Sequence, residues 1–301
     1  MHGDIRQPDD FPAPDFDVLL ECSAEPSVLA GYSTSPSYAI DTNLRGTINC
    51  LNECRKAMAQ MIFISTSRVY PVKSLSEATL VDVGTGFRFS DDQRCIGISG
   101  SGVSEELAIT GAGPRSIYGT TKAASEMFCE EYAEAYGVPV TINRCGVLAG
   151  PCQMARADQG IFAFWMLCHL LNRPLKYIGF NGSGKQSRDL LHIDDLGSLV
   201  DRQIQNRAAW NGKTFNVGGG AENTLSLVDT TAICREISGV RMEVQSSAEV
   251  RPMDVPCYYS DNRAILAFEP AWCPRKSARE TMQEVFEWMW PIREKLERIL
   301  F

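Results

Sequence analysis

Tyr118 and Lys122 stand four residues apart in the stretch Ser116-Ile117-Tyr118-Gly119-Thr120-Thr121-Lys122. On a helix that spacing stacks a phenol and an ammonium on one face. An ammonium beside a phenol favours the phenolate, which gives the pair the chemistry of a proton shuttle near neutral pH. Alone the pattern carries little weight, because Y-x-x-x-K pairs are common on solvated helix faces. Thr66 adds to it. The apolar run Met61-Ile62-Phe63-Ile64-Ser65 has the length and character of a parallel strand covered on both faces. The polar cluster Ser65-Thr66-Ser67-Arg68 lies just past its C-terminal end, where ligands bind in open α/β sheets. There Thr66 can hold a substrate oxygen, Tyr118 can take its proton, and Lys122 can fix a cofactor ribose while lowering the Tyr pKa. The remaining need is a hydride acceptor; no side chain supplies one, so a nicotinamide is implied.

The elements that must position these groups alternate in the first half of the chain. Strands are expected at 18–22, 61–65 and 138–143, and helices at 43–59 and 117–136. Residues 73–115, rich in Gly, Ser and Asp, read as an irregular insertion, and 144–151 as a loop. Beyond come an apolar helix at 160–171, a hairpin over 175–192, a helix at 194–206 and a strand at 214–217. Capping boxes at Ser226–Asp229 and Ser277–Glu280 open two further helices, the last kinked or ended by Pro291. The pattern fits an α/β, Rossmann-like doubly wound parallel sheet with a smaller C-terminal substrate lobe. The expected division is 1–172 for the dinucleotide-binding domain and 173–301 for the lobe, with segments at about 186–220 returning to the main sheet.

Composition narrows the partners. Of 301 residues 44% are apolar and 22% charged, an ordinary globular balance, and the net charge of −8 argues against broad binding to nucleic acid or anionic membranes. No apolar run approaches the ~20 residues of a membrane span, and the polar start Met1-His2-Gly3-Asp4 is unlike a signal peptide, so a cytoplasmic protein is expected. Eleven scattered cysteines without a C-x-x-C read as reduced core residues. With three histidines, no zinc or other metal site is expected, and His192 reads as structural.

Several motifs, in order and over nearly the whole chain, resemble the extended short-chain dehydrogenase/reductase family of NAD-dependent nucleotide-sugar epimerases and dehydratases. Gly3-Asp4-Ile5-Arg6 resembles the segment after the family's third strand, which implies that Asp4 and Ile5 hold the adenine. Cys22-Ser23-Ala24 matches the loop passing the pyrophosphate, and Asn43-Leu44-Arg45-Gly46-Thr47 the helix start whose Asn43 lies near the cofactor. Ser65-Thr66-Ser67-Arg68-Val69-Tyr70 matches the strand end carrying the catalytic hydroxyl. Arg188-Asp189 with Asp194-Asp195, and Arg251-Pro252-Met253-Asp254 with Asp261, match the blocks that meet the nucleotide-sugar. The resemblance thus implies Thr66, Tyr118 and Lys122 as catalytic residues. It places Asp4, Ile5, Cys22, Ser23, Ala24, Asn43, Lys122 and Cys145 on NAD, and Ser67, Arg188 and Arg251 on substrate. Arg188 alone would read as a surface ion pair and Arg251 as a solvated loop charge; in these motifs their guanidinium forks suit a diphosphate.

A dehydratase of the family carries an acid and a base carboxylate just after its catalytic Thr; here those positions are Ser67 and Arg68, which disfavours dehydration. The phrases at 65–71, 143–151 and 182–191 look most like the CDP-paratose (CDP-tyvelose) 2-epimerase branch, implying transient oxidation to a keto sugar; another nucleotide-sugar 4-epimerase stays open. The resemblance also implies a homodimer through the helices at 43–59 and 117–136. One departure matters: no G-x-x-G-x-x-G precedes residue 60, so the family's opening βαβαβ portion is expected to be missing and strand 18–22 to have an open edge. A misassigned start, a split chain or a chain that has abandoned NAD would each give this. The competing reading is therefore a non-catalytic interaction protein.

Overall fold

A computed structural model describes residues 2–32 and 35–300. The chain forms two compact units, the first from residues 1–72, 108–145 and 197–216, the second from 73–107, 146–196 and 217–301. The division therefore does not fall at 172. Phe87 N–H donates to the Lys185 carbonyl and Val103 N–H to the Tyr259 carbonyl, which ties 73–107 to C-terminal segments. Helix Ile161–Leu170 shares its core with residues of helices Leu227–Ser238 and Ala278–Met289.

The first unit is built on a sheet of Val18–Glu21 (β1), Gln60–Thr66 (β2), Val140–Cys145 (β3) and Lys213–Val217 (β4), in that spatial order. β1–β2 and β2–β3 are parallel. All six residues of β3 and six of seven in β2 are buried; the apolar run Met61–Ile64 requires it of β2, while β3 buries Thr141, Asn143 and Arg144 with hydrogen-bond partners. β1 lies at one edge of this sheet, and its Leu20 is 44% exposed. Helices Gly46–Ala57 (α1) and Ser116–Tyr136 (α2) cover the sheet, with Cys50, Leu51, Cys54 and Cys129 packed on Met61, Phe63, Val140 and Ile142. Both helices stop at a left-handed residue, Met58 and Gly137. α1 is preceded by a π turn at Asp41–Arg45 and a short helix at Ser37–Ile40, so helix begins earlier than the expected 43.

The second unit holds smaller sheets and a helical core, and three expectations are corrected there. Residues 175–192 are not a hairpin: Leu175–Tyr177 pairs with Val244–Ser246, and Ser187–His192 pairs with three other strands. The turn at Phe180–Gly182 carries positive φ at Phe180, Asn181 and Gly182 and separates the two strands into different sheets. The supposed loop 144–151 contains Val147–Ala149, a strand parallel to Ser187–His192; of the expected return at about 186–220, residues 187–192 pair there instead, while 197–216 belong to the first unit and Lys213–Val217 joins its sheet. The insertion carries two small hairpins, Leu80–Asp82 with Phe87–Phe89 and Ile98–Ser99 with Gly102–Val103. Both capping boxes are present, and Pro291 breaks the last helix into Ala278–Met289 and Arg293–Leu300. Among the described residues no helix is long and apolar enough to cross a membrane.

Candidate active site

β2 and β3 end together. Thr66 and Cys145 are register partners at the C-terminal ends of adjacent strands, and Glu21 closes β1 opposite Phe63. Thr66 is 9% exposed, and its Oγ1 accepts the Arg68 N–H at 3.2 Å, capping the turn Ser67–Val69. The start of α2 lies against this turn. A Cβ placed on Gly119 would fall 2.2 Å from the Arg68 carbonyl oxygen, so only glycine permits the approach. That approach carries Tyr118, the preceding residue, toward Thr66, whose hydroxyl favours the phenolate.

The phenol is pushed above its ordinary range, burial first; the Thr66 hydroxyl opposes the rise, Cys145 adds to it, Arg68 opposes it and Glu21 adds again. The proton-shuttle argument from the Tyr/Lys spacing looked for a pKa lowered by Lys122. In the structure Lys122 has another close partner. Its Nζ donates to Glu21 Oε2 at 3.4 Å and sits 3.9 Å over the Phe63 ring, with both ion-pair side chains at most 2% exposed. Glu21 Oε1 accepts the Ser23 N–H at 2.8 Å. Burial raises the Glu21 carboxyl despite the ammonium beside it.

Behind the strand ends runs a buried polar truss. Ser65 Oγ donates to Glu126 Oε1; Arg144 Nε and Nη2 donate to Glu126 Oε2 at 3.0 and 2.8 Å. Arg144 also donates to the Tyr70 hydroxyl, which donates to Asn216 Oδ1 at 2.8 Å. The truss thus joins the residue before Thr66, the turn of α2 after Lys122, the residue before Cys145, and β4. Sequence reasoning passed over Glu21, Glu126 and Arg144. The available signal was an acid or base closing a buried apolar strand at the level of Thr66, and Glu126 one turn beyond Lys122.

Other expected residues are engaged within the protein. Asn43 is fully buried: its Oδ1 accepts the Glu25 N–H at 2.7 Å, and its Nδ2 donates to the Glu25 carbonyl and to Thr121 Oγ1. Asp4 is held by the Arg6 side chain and backbone, which lower its carboxyl to about 2, and Ile5 packs on Gly46. Cys22, Ser23 and Ala24 form the loop after β1, and Ser67 opens the turn after Thr66. Arg188 and Arg251 belong to the second unit. Arg188 Nη2 donates to Asp254 Oδ1 and the Val255 carbonyl, both at 2.6 Å, and Arg251 Nη2 to the Asp158 carbonyl at 3.2 Å. Also in that unit, ligand atoms of His192, Asp194 and Glu284 lie within 4.8 Å of one another. Lys276 pairs with Glu284, so the group reads as an ion-pair cluster.

The sequence model of the NAD dependent epimerase/dehydratase family matches residues 2–218. The chain belongs to this family. Among its relatives, the CDP-paratose 2-epimerase of Salmonella typhi is 26% identical over 301 residues, covering 96% of this chain and 83% of that protein. An uncharacterized UDP-glucose epimerase, YtcB, of Bacillus subtilis is 27% identical over 260 residues, covering 85% and 70%. The solved structure of a UDP-glucuronic acid 4-epimerase from Bacillus cereus, in complex with UDP-glucuronic acid and NAD, superposes with a TM-score of 0.75 at 22% identity, covering 95% of this chain and 80% of that one. That likeness shows the shared Rossmann-like α/β fold.

The reactive end of a family member's NAD can be tested against the residues present. An ammonium has three donors; among the described residues the Lys122 Nζ has one acceptor, at the long distance of 3.4 Å. A buried ammonium with donors to place suits a ribose hydroxyl pair at the ends of β1 and β2. Thr66, Tyr118 and Cys145 border the same place, so the residues fit a nicotinamide riboside there.

Proposed function

We propose that this epimerase/dehydratase family member is a nucleotide-sugar epimerase working by transient NAD-linked oxidation to a keto sugar, with a CDP-sugar of the paratose/tyvelose kind as its substrate class and inversion at C2. The observation that carries the reading is the close approach of the start of α2 to the turn after Thr66, which brings Tyr118 toward the Thr66 hydroxyl at the strand ends with Lys122 one helical turn further on. A nicotinamide bound there would supply the hydride acceptance and return that side chains cannot. Lys122 would hold its ribose, and Cys145 would border its ring. Thr66 Oγ1 orients the sugar hydroxyl, and Tyr118 Oη takes its proton as the ketone forms and gives it back as the alcohol re-forms. The ketone then needs only to present its other face. Neither Ser67 nor Arg68 is a carboxylic acid, and Glu126 is committed to Arg144 and Ser65, so the acid/base pair that elimination of water requires is not assembled around Thr66.

The test is to incubate the purified chain with NAD and CDP-paratose carrying deuterium at C2, and to follow the sugar by NMR. Inversion with deuterium retained is expected. Inversion with the label washed out would replace oxidation by deprotonation, and no conversion of any nucleotide-sugar would remove the enzyme reading. Exposed Met127, Phe128 and Tyr136 on α2, with Met58 at the end of α1, further support pairing of two copies through these helices. Light scattering of M127E/F128E should then show a monomer where the parent chain is a dimer.

A further inference from the structure

Glu21 and Phe63 are register partners on neighbouring parallel strands, so their side chains share one face of the first unit's sheet. Lys122 reaches from α2 onto both. Its Nζ donates to Glu21 Oε2 at 3.4 Å and stands 3.9 Å over the Phe63 ring. With side-chain exposures of 2% for Lys122 and 1% for Glu21, this seat is closed to water. The carboxylate is itself anchored, because its second oxygen accepts the Ser23 N–H at 2.8 Å from the loop that follows β1. Both oxygens thus act as acceptors, one for the backbone and one for the ammonium. An ammonium has three donors. Glu21 takes one, the Phe63 ring faces a second side, and the third has no acceptor among the described residues.

We propose that Glu21 is a positioning residue for the cofactor: its carboxylate, with the Phe63 ring, fixes the Lys122 ammonium at the end of β1 and keeps the remaining donor ready for a hydroxyl of the nicotinamide ribose. Lysine is a point charge on a flexible stem. Fixing that stem in advance removes an ordering cost that binding would otherwise carry. The unplaced donor, held out of water, recovers a hydrogen bond only when an acceptor arrives. The chemistry of Glu21 makes the seat easy to break without changing its shape. A glutamine there has one acceptor oxygen where the carboxylate has two. Its NH2 must face either the Ser23 N–H or the Lys122 ammonium, donor against donor, so one arm of the seat is lost. The inference rests on the reading of Lys122 as the residue that holds the ribose.

Calorimetric titration of the purified chain with NAD tests it, with circular dichroism of each variant to confirm folding. E21Q should bind NAD about tenfold more weakly than the parent chain. K122M should also bind more weakly, and E21Q/K122M should match K122M within about twofold, because Glu21 then has no ammonium to place. Equal affinities of E21Q and the parent overturn the proposal. So does an E21Q loss that persists in full in the K122M background, which would assign the effect to the Ser23 loop, and so does a parent chain that binds no NAD. If E21Q does not fold, E21D decides: its carboxylate stands one methylene further back, so NAD should bind more weakly by a smaller factor, and unchanged affinity overturns the proposal. No sugar enters these measurements. A chain that shows the coupling yet converts no nucleotide-sugar loses the epimerase reading and keeps this one; a chain that converts the sugar while E21Q binds NAD as the parent does keeps the epimerase reading and loses this one.

Discussion

Tyr118 and Thr66 form the part of the site where one atom decides the outcome. Tyr118→Phe removes the proton at the reacting hydroxyl and little else, so turnover should drop by about 10²- to 10⁴-fold while circular dichroism and melting stay unchanged. The direction of the phenol's shift adds a pH signature. Burial raises Tyr118 above the ordinary phenol range, so the phenolate that accepts a proton is scarce at neutral pH and grows about tenfold for each pH unit gained. A rate limited by proton removal should therefore climb from pH 7 through 9; a plateau below 9 would contradict the raised phenol. The Tyr118–Lys122 spacing and Thr66's place at a strand end were legible from residue order, because helix and strand periodicity decide them. Glu21's hold on Lys122 was not, since a carboxylate ending an apolar run says nothing about which distant lysine will meet it.

At the level of elements, the contact between α2 and the turn after β2 sets the distance from phenol to hydroxyl. Gly119→Ala puts a methyl against the Arg68 carbonyl, so α2 must shift; turnover should fall at least as steeply as KM rises, with Tyr118 itself intact. The Glu126–Arg144 pair supports the same junction from behind. Glu126→Ala leaves a guanidinium buried without its carboxylate and should cost about 3–5 kcal/mol in urea unfolding. Ser226→Ala, which removes a capping box from a helix of the second unit, should cost only about 1 kcal/mol. Strand Met61–Ser65 was readable almost to the residue, because it is a continuous apolar run, whereas the strand expected at 138–143 lies at Val140–Cys145, its polar residues giving no such signal. The supposed 175–192 hairpin failed for a physical reason. Two short strands flanking a glycine-rich turn look alike whether they pair with each other or with distant partners, and only tertiary contacts choose.

Across the molecule, all eleven cysteines are free thiols, seven of them buried. Burial lifts Cys54, Cys168 and Cys257 to about 12. A thiol reagent should react quickly with Cys152 and Cys273 in the native protein and with all eleven in guanidinium; fast native reaction of the buried set would contradict the packing. The chain passes between its two units five times, after residues 72, 107, 145, 196 and 216. Neither unit is therefore a continuous piece of sequence. The sheet that carries Thr66 is completed only by β4, some seventy residues after β3. During synthesis β1, β2 and β3 must wait, with the backbone edge of β3 unpaired, until that last strand emerges. Contacts so far apart in sequence close slowly, so refolding should be slow and prone to aggregation at high concentration.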